Sequence, residues 1–471
     1  MRSDLVAIDL RSLAAFRVGL AATLLLDLAY RCLDLEAHYS DLGVLPRAAL
    51  ERFSVRPGWH GSLHALSGET SAQVLLVALA VGSALALGVG YRTRLAVLTS
   101  WWLLASLQDR NPLILIAGDR LLLLLLFWGL FLPLGSRWSL DARGEPVGET
   151  PTHVAGLPAL ALLVQTALVY ASTALYKWSE PVWRELDAVA LTLQVEGVAT
   201  GFGRGLLAFD ALPAVLTAFT LAIESLAPLL AFSPWRRPQV RTAVVLFLVA
   251  FHLLGLGLTL RFGLMQLVFC VAWVPFLPTE FWDRLRAVPK RRPAALREFG
   301  RSRLDALLTA TCSALVLVDT AVSIDRERYE RNAPGWSTWL IHSLELRQEW
   351  RMWQRPLKNR YYVFAARMDD GSDVDLHTGQ RLDWDAPRRR SKNNHWWKYQ
   401  DYLSRPMGSA FRADYARFLA AEWSRAHPQG PGVSKLSLVY LDASRSAETK
   451  RQLPRRTLWE GSDLVPEKRA R

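Results

Sequence analysis

Between Leu13 and Val322 the chain is built from apolar runs separated by short charged or turn-rich stretches. Such runs must be hidden from water. Lipid can hide them only as helices or closed barrels, because hydrocarbon offers no partner to backbone N–H and C=O groups. The runs cover residues 12–30, 70–90, 95–109, 113–134, 156–177, 211–232, 240–260, 263–277 and 304–322. A hydrocarbon core of about 30 Å takes about 20 helical residues, so the third and eighth are short. Nine spans are expected, or eight if one short run stays outside. The unbroken LLLLLLFWGLF stretch from Leu121 lacks the alternation of a barrel strand. The predicted fold is an all-α polytopic membrane bundle over residues 1–322, followed by a small extramembrane α+β domain over 323–471.

Charge sorts along the same division. Hydrophobic residues make up 51% of the chain and charged ones 21%, with a formal net charge of +13. With an inside N-terminus, the loops holding Arg92 and Arg94, Arg137 and Arg143, and Arg236, Arg237 and Arg241 fall on one side. The block RLRAVPKRRPAALREFGRSR falls there too, as the positive-inside rule requires. The expected location is a cell inner membrane, with a cytoplasmic N-terminus and a periplasmic or external C-terminal domain. Membrane lipids account for the basic surplus, so no nucleic-acid partner is expected, and no protein partner is indicated. The first run contains Arg17 and Asp27 and ends without a small-residue cleavage site, so it reads as a retained helix.

Metal chemistry finds little support. Cys32, Cys270 and Cys312 are too widely spaced for a zinc site. His38, His60 and His64 in the first loop lack a carboxylate partner at ligand spacing. That loop suits either a surface loop or a re-entrant cap. In the tail, YYVFAARMDDGSDVDL reads as two strands turning at Asp370-Gly371, and VSKLSLVYLDA as a strand with TKRQLPRRTLWE as its partner. Between them ADYARFLAAEWSRAHP reads as an amphipathic helix. PRRRSKNNHWWKYQ mixes basic and aromatic residues, suiting a lipid-headgroup surface or a substrate patch.

Ionisable residues within the apolar runs carry the functional question, since charges there pair, line a cavity or act chemically. Asp119 and Arg120 interrupt the fourth run after Gly118, a residue that permits close helix approach or a local break. They form structural ion pairs, with Arg17, Asp27 or Glu224 as partners, or belong to a site. Lys177 closes the fifth run. It either snorkels to the interface or sits in an apolar pocket as a general base, with Tyr170, Tyr176, Trp178 and Trp183 building the surroundings. Glu224 and His252 complete a possible proton-handling set. The stretch ELDAVALTLQVEGVATGFGRGLLAF reads as an external amphipathic helix; its GFGRG lacks the strand and spacing of a phosphate loop.

In order along the chain, DLRSLAAFRVGLAATLLLDL, YSDLGVLPR, LILIAGDRLLLLLLFWGLFLPLGSRWSLD, YASTALYKW, AIESLAPLL, the Phe251-His252 pair and LRQEWRMWQRP followed by DDGSDVDL resemble the bacterial HTTM family. That family is related to vitamin K-dependent gamma-carboxylase. The resemblance spans roughly residues 5–402 and rests on the order of the blocks. It implies a multi-helix membrane protein whose terminal domain lies on the non-cytoplasmic side, a reduced quinone of the vitamin K or menaquinone type as cofactor, and Lys177 as the base that starts quinol oxygenation. The carboxylase's fourth-span histidine has no counterpart, since that region reads IAGDRLL. The resemblance therefore reaches quinol or isoprenoid binding and oxygenation but not carboxylation. A non-enzymatic transporter or scaffold with structural buried charges is the alternative.

Overall fold

The computed structural model of the chain describes residues 6–53, 62–143, 152–286, 297–298, 303–325, 334–355, 359–384, 391–442, 454–462 and 464. His60, most of the basic block before residue 303 and the arginines of PRRR lie outside the described residues.

Every apolar run forms a helix. These are α1 (Leu10–Cys32), α2 (Thr70–Val89), α3 (Thr93–Arg110), α4 (Ala117–Gly129), α5 (Leu157–Ser179), α6 (Leu212–Ala231), α7 (Arg237–Thr259), α8 (Met265–Trp273) and α9 (Arg303–Ile324). They run alternately between two ends. At one end, β1 (Ile8–Asp9) pairs antiparallel with β2 (His153–Ala155), and β2 pairs parallel with β3 (Arg297–Glu298). At the other, the ends of α1 and α3 meet the start of α4.

Six of these helices are long and apolar enough to cross a membrane, or seven if Met265–Phe276 and Thr279–Leu285, bent by 100°, count as one span. The count of eight or nine is thus reached only in part, for two physical reasons. The α3 helix carries Arg94, Asp109 and Arg110 within its 18 residues. The α4 helix has only 13 residues, a length of about 20 Å, because Pro112 opens a 3-10 turn and Leu115 and Ile116 are extended. The leucines of α4 do not face lipid. Leu121 to Leu126 are all buried, four of them at 0% exposure, with other helices packed around them. Hydropathy alone does not distinguish lipid-facing from protein-facing leucine.

Local chemistry sets the helix ends. The Asp9 carboxylate accepts from the Arg11 amide at 2.7 Å to start α1, and Gly90 at φ +70° ends α2 in the left-handed conformation glycine tolerates best. Asp141 accepts from the Arg92 and Thr93 amides at 2.8 and 2.7 Å, placing a negative charge on the N-terminus of α3. Gly118 brings α4 against α8, since a Cβ there would lie 3.0 Å from the Met265 Cα. In α7, residues Phe251–Leu256 wind as a π-helix. The stretch read as one amphipathic helix is instead broken into Ala188–Leu193, Gly201–Gly205 and a 3-10 turn at Leu206–Ala208. It is held to the end of α7 by the Thr200 amide on the Thr259 carbonyl at 2.9 Å.

The C-terminal part begins with α10 (Gly335–Ser343) and contains β4 (Arg360–Met368), β5 (Asp373–Asp375), β6 (Gln380–Arg381), α11 (Asn394–Ser404), α12 (Arg412–Ala426), β7 (Val433–Asp442) and β8 (Arg455–Gly461). The strands form an antiparallel sheet in the order β6-β5-β4-β7-β8. The expected hairpin turns at Gly371, φ +82°, and β7 pairs with β8 as the alternation suggested. One apolar core runs from the bundle into this part, through Trp350, Tyr399 and Phe364.

Replacing the fully buried Leu124 by alanine should lower stability by about 2–5 kcal/mol through lost contacts and a residual cavity. The same change at Leu75, 62% exposed on α2, should stay within about 0.5 kcal/mol. Unfolding in detergent followed by circular dichroism distinguishes the two.

Candidate functional site

Lys177 lies in the last turn of α5 and points inward at 2% exposure, so it does not snorkel. Its Nζ donates to both carboxylate oxygens of Glu224 on α6, at 2.5 and 2.6 Å. The Trp183 ring covers it at 4.5 Å, a cation–π contact that gains strength where water is excluded. The Trp183 indole N–H donates to the Trp353 carbonyl at 2.8 Å, which locks the ring in place. A lone ammonium or carboxylate at this depth would be costly; paired and hydrogen-bonded, the two charges largely offset each other's desolvation.

His252 forms a second pair close by. The Tyr170 hydroxyl and His252 Nε2 lie 2.5 Å apart, and the imidazole stacks on Phe269 at 5.0 Å between centroids. Its Nδ1 has no hydrogen-bond partner among the described residues. His252 sits in the π-helical turn of α7, a distortion often found at functional positions. Lys177 and His252 are near enough to interact electrostatically, as are Tyr170 and Glu224.

The remaining candidates divide. Tyr176 donates to the Ser323 carbonyl at 2.6 Å and ties α5 to α9. Trp178 is half exposed, its indole on Ser225 at 3.0 Å, and does not join the Lys177 cage. Asp119 and Arg120 belong to a different neighbourhood, and their partners differ from those expected. Asp119 pairs with Arg31, which also donates to Asp27 at 2.7 Å and to the Tyr39 hydroxyl at 2.5 Å. Arg120 pairs with Glu345 of the C-terminal part. Arg17 donates to the carbonyls of Leu134, Arg137, Trp138 and Gly88, gathering a loop that would otherwise bury unsatisfied oxygens.

Two groups escaped the sequence reading. One is a buried amide chain: Gln165 on α5 donates to Gln348 at 2.8 Å, and Gln348 accepts from the Trp350 indole at 2.7 Å. Its only signal was an isolated glutamine in an apolar run. The other is a cleft of about 1040 Å³ between the bundle end and the C-terminal part, lined by Arg120, Arg261, Arg347, Lys398 and others but not by Lys177, Glu224 or His252.

Compared with known proteins, the chain matches no family model, no curated protein and no solved structure. Among the described residues, no group of three or more His, Cys, Asp or Glu side chains could hold a metal. His64 instead bonds Ser106 through Nδ1 at 2.7 Å.

His38 joins the first loop to α11. It packs on Trp396 at 4.6 Å and on His395 at 6.0 Å between centroids, with neither ring nitrogen hydrogen-bonded to a described residue. Burial, assisted by Arg31 and Lys392 and opposed by Asp34, pushes His38 down to about 4. Burial and the same arginine hold His395 well below the usual histidine range. The unfolded chain therefore binds more protons than the folded one between pH 6.5 and pH 4. Stability should be full above about pH 6.5 and fall as pH drops toward about 4, by about 3 kcal/mol for His38 alone. Thermal midpoints across this range should show the slope, and His38→Phe should flatten it.

Proposed function

We propose that the chain is a multi-pass membrane scaffold in which the ionisable residues buried in the bundle serve the fold and the C-terminal part is a fixed cap on one end. The observation that carries this reading is the closed state of the strongest functional candidate. Lys177 has its ammonium bonded to both oxygens of Glu224 and roofed by Trp183. The other buried charges behave alike: Arg31 with Asp27 and Asp119, Arg120 with Glu345, and Arg17 on four carbonyls.

In this reading all nine alternating helices traverse the bilayer, and the N-terminus and cap lie on opposite sides. The arginines at 92, 94, 137, 236, 237 and 241 gather at the end that carries the N-terminus, as in a cytoplasmic face. A bacterial inner membrane, a cytoplasmic N-terminus and a periplasmic cap follow.

A structural pair has a recognisable mutational signature. Lys177→Met or Glu224→Leu alone should cost about 3–5 kcal/mol by stranding a charge, whereas the double variant should recover most of that loss. Unfolding of the three variants in detergent measures the coupling.

One observation favours a second reading, in which the chain is an HTTM-type quinol-dependent oxygenase. The Tyr170–His252 pair on a π-helical turn lies beside Lys177, and Trp183, Tyr170 and Phe269 provide aromatic surfaces suited to a quinol ring. A reduced quinone of the menaquinone or vitamin K type would supply electrons to oxygen. Lys177, relieved of its proton by Glu224 at 2.5 Å, would be the base. Under the scaffold reading, purified protein given reduced menaquinone consumes no oxygen beyond the protein-free rate. Uptake that is lost in a folded Lys177→Met/Glu224→Leu variant would establish the oxygenase instead.

A further inference from the structure

The cleft between the bundle end and the cap carries a charge imbalance that the scaffold reading does not use. Nine lysines and arginines line it beside two carboxylates, Glu349 and Asp401, and three of the nine, Arg120, Lys392 and Arg355, pair with Glu345, Asp34 and Glu180 outside the lining. Asp401 is already engaged by Arg360 and, at 2.6 Å, by Arg405. Lys398, half-buried on α11 and facing the cleft, has no hydrogen bond or ion pair with any described residue. Arg351 meets a carbonyl, that of Ser323 at 3.1 Å, and the ring of Tyr176.

Backbone geometry adds to the side chains. Three helices begin at this wall, and their first residues, Ala117 of α4, Met265 of α8 and Asn394 of α11, all line the cleft. Each N-terminus places partial positive charge at the wall, although the Asn394 and Met265 amides themselves already donate to the Tyr30 hydroxyl and the Phe262 carbonyl. Convergence of three such ends with a lysine that has no hydrogen bond or ion pair among the described residues is a stronger statement than any one of them. The floor, by contrast, is apolar, formed by Leu115, Ile116, Phe262 and Met265 at the level where the bundle ends.

We infer that this cleft binds a phosphate- or diphosphate-bearing ligand, with Lys398 and the neighbouring arginines as its charge partners and the apolar floor accepting an attached lipid chain when there is one. Tetrahedral phosphate oxygens satisfy guanidinium forks and an ammonium together. A volume near 1040 Å³ accommodates a diphosphate with part of a chain. Burial lowers the Lys398 ammonium below the usual lysine range, opposed in part by Asp401 and Glu349; an anion bound beside it would raise it again. The sequence carried a trace of this site in SKNNHWWK, whose Ser391, Lys392, Asn393, Asn394, Trp397 and Lys398 all line the cleft. The inference does not depend on Lys177, which lies outside the lining.

The test titrates full-length protein in detergent with inorganic pyrophosphate and with farnesyl diphosphate by calorimetry. Lys398→Glu should weaken binding by about tenfold or more, the loss of a charge-assisted contact. Lys398→Arg should retain it, and Lys435→Glu on the exposed β7 strand should leave it unchanged. Tighter binding of farnesyl diphosphate identifies a lipid headgroup as the source, and equal binding identifies a free diphosphate. Either result supports the site. Absence of binding by both probes overturns it, as does a Lys398→Glu variant that binds normally or a hexaglutamate peptide that binds more tightly than either. Should Lys398→Glu shift the thermal midpoint of unliganded protein, Lys398→Gln replaces it, with weaker binding still required.

Discussion

Arg31 is the interaction on which the rest of the structure turns. From the last turn of α1 its guanidinium reaches Asp27 on its own helix, Asp119 at the start of α4 and the Tyr39 hydroxyl in the following loop. One cation thereby fixes the angle between two helices and the entry of a third segment. The planar fork suits this task, because each N–H has its own direction and the charge is retained even when buried. Its neighbours extend the arrangement. Tyr30 accepts from the Asn394 amide at 3.1 Å, Asp34 takes Lys392 and Asn393 at 2.5 and 2.7 Å, and His38 meets Trp396. The end of α1 is therefore also the seat of the cap.

The cap has a second attachment of different character. The segment from Leu346 to Gln354 lies along the bundle, with Gln348 and Trp350 fully buried, and it closes over Trp183 through the carbonyl of Trp353. Charged contacts at one site and a dry amide–indole chain at the other respond differently to solvent. Salt and pH act on the first, whereas the second yields only when its apolar surroundings open.

The sequence made element types legible and pairings illegible. All nine apolar runs became helices, and the tail formed the hairpin, amphipathic helix and closing strand pair that its alternation and turn residues suggested, because those signals are local. The partners of Asp119 and Arg120 were not recoverable. Arg31 sits beside Cys32 where a helix leaves the apolar zone, and Glu345 lies 225 positions from Arg120, so nothing in either neighbourhood marks the contact. For the candidate site, the structure brings Lys177, Glu224 and Trp183 together and joins Tyr170 to His252, contacts that no spacing in the sequence specified. Trp178 shows the cost of reading by proximity: next to Lys177 in sequence, it points away. The six-leucine run reads as a spanning helix from its hydropathy, and the protein itself supplies its apolar surroundings.

The π-helical turn of α7 has a consequence for how this chain tolerates change. A π-turn is an α-helix holding one extra residue, and the surplus alters the phase of everything beyond it. Rewinding Phe251–Leu256 as regular α-helix with every residue kept would rotate the remainder of α7 by about 100°. Thr259 and Leu260 would then turn away from Thr200 and Ala199, their present backbone partners, and the crossing from α7 to α8 would lose its anchor. A one-residue deletion within the turn would be absorbed by its surplus residue, whereas one in the regular turns of α7 would be transmitted along the backbone as a change of register. In this helix the winding at Phe251–Leu256 is constrained more tightly than the residue count there.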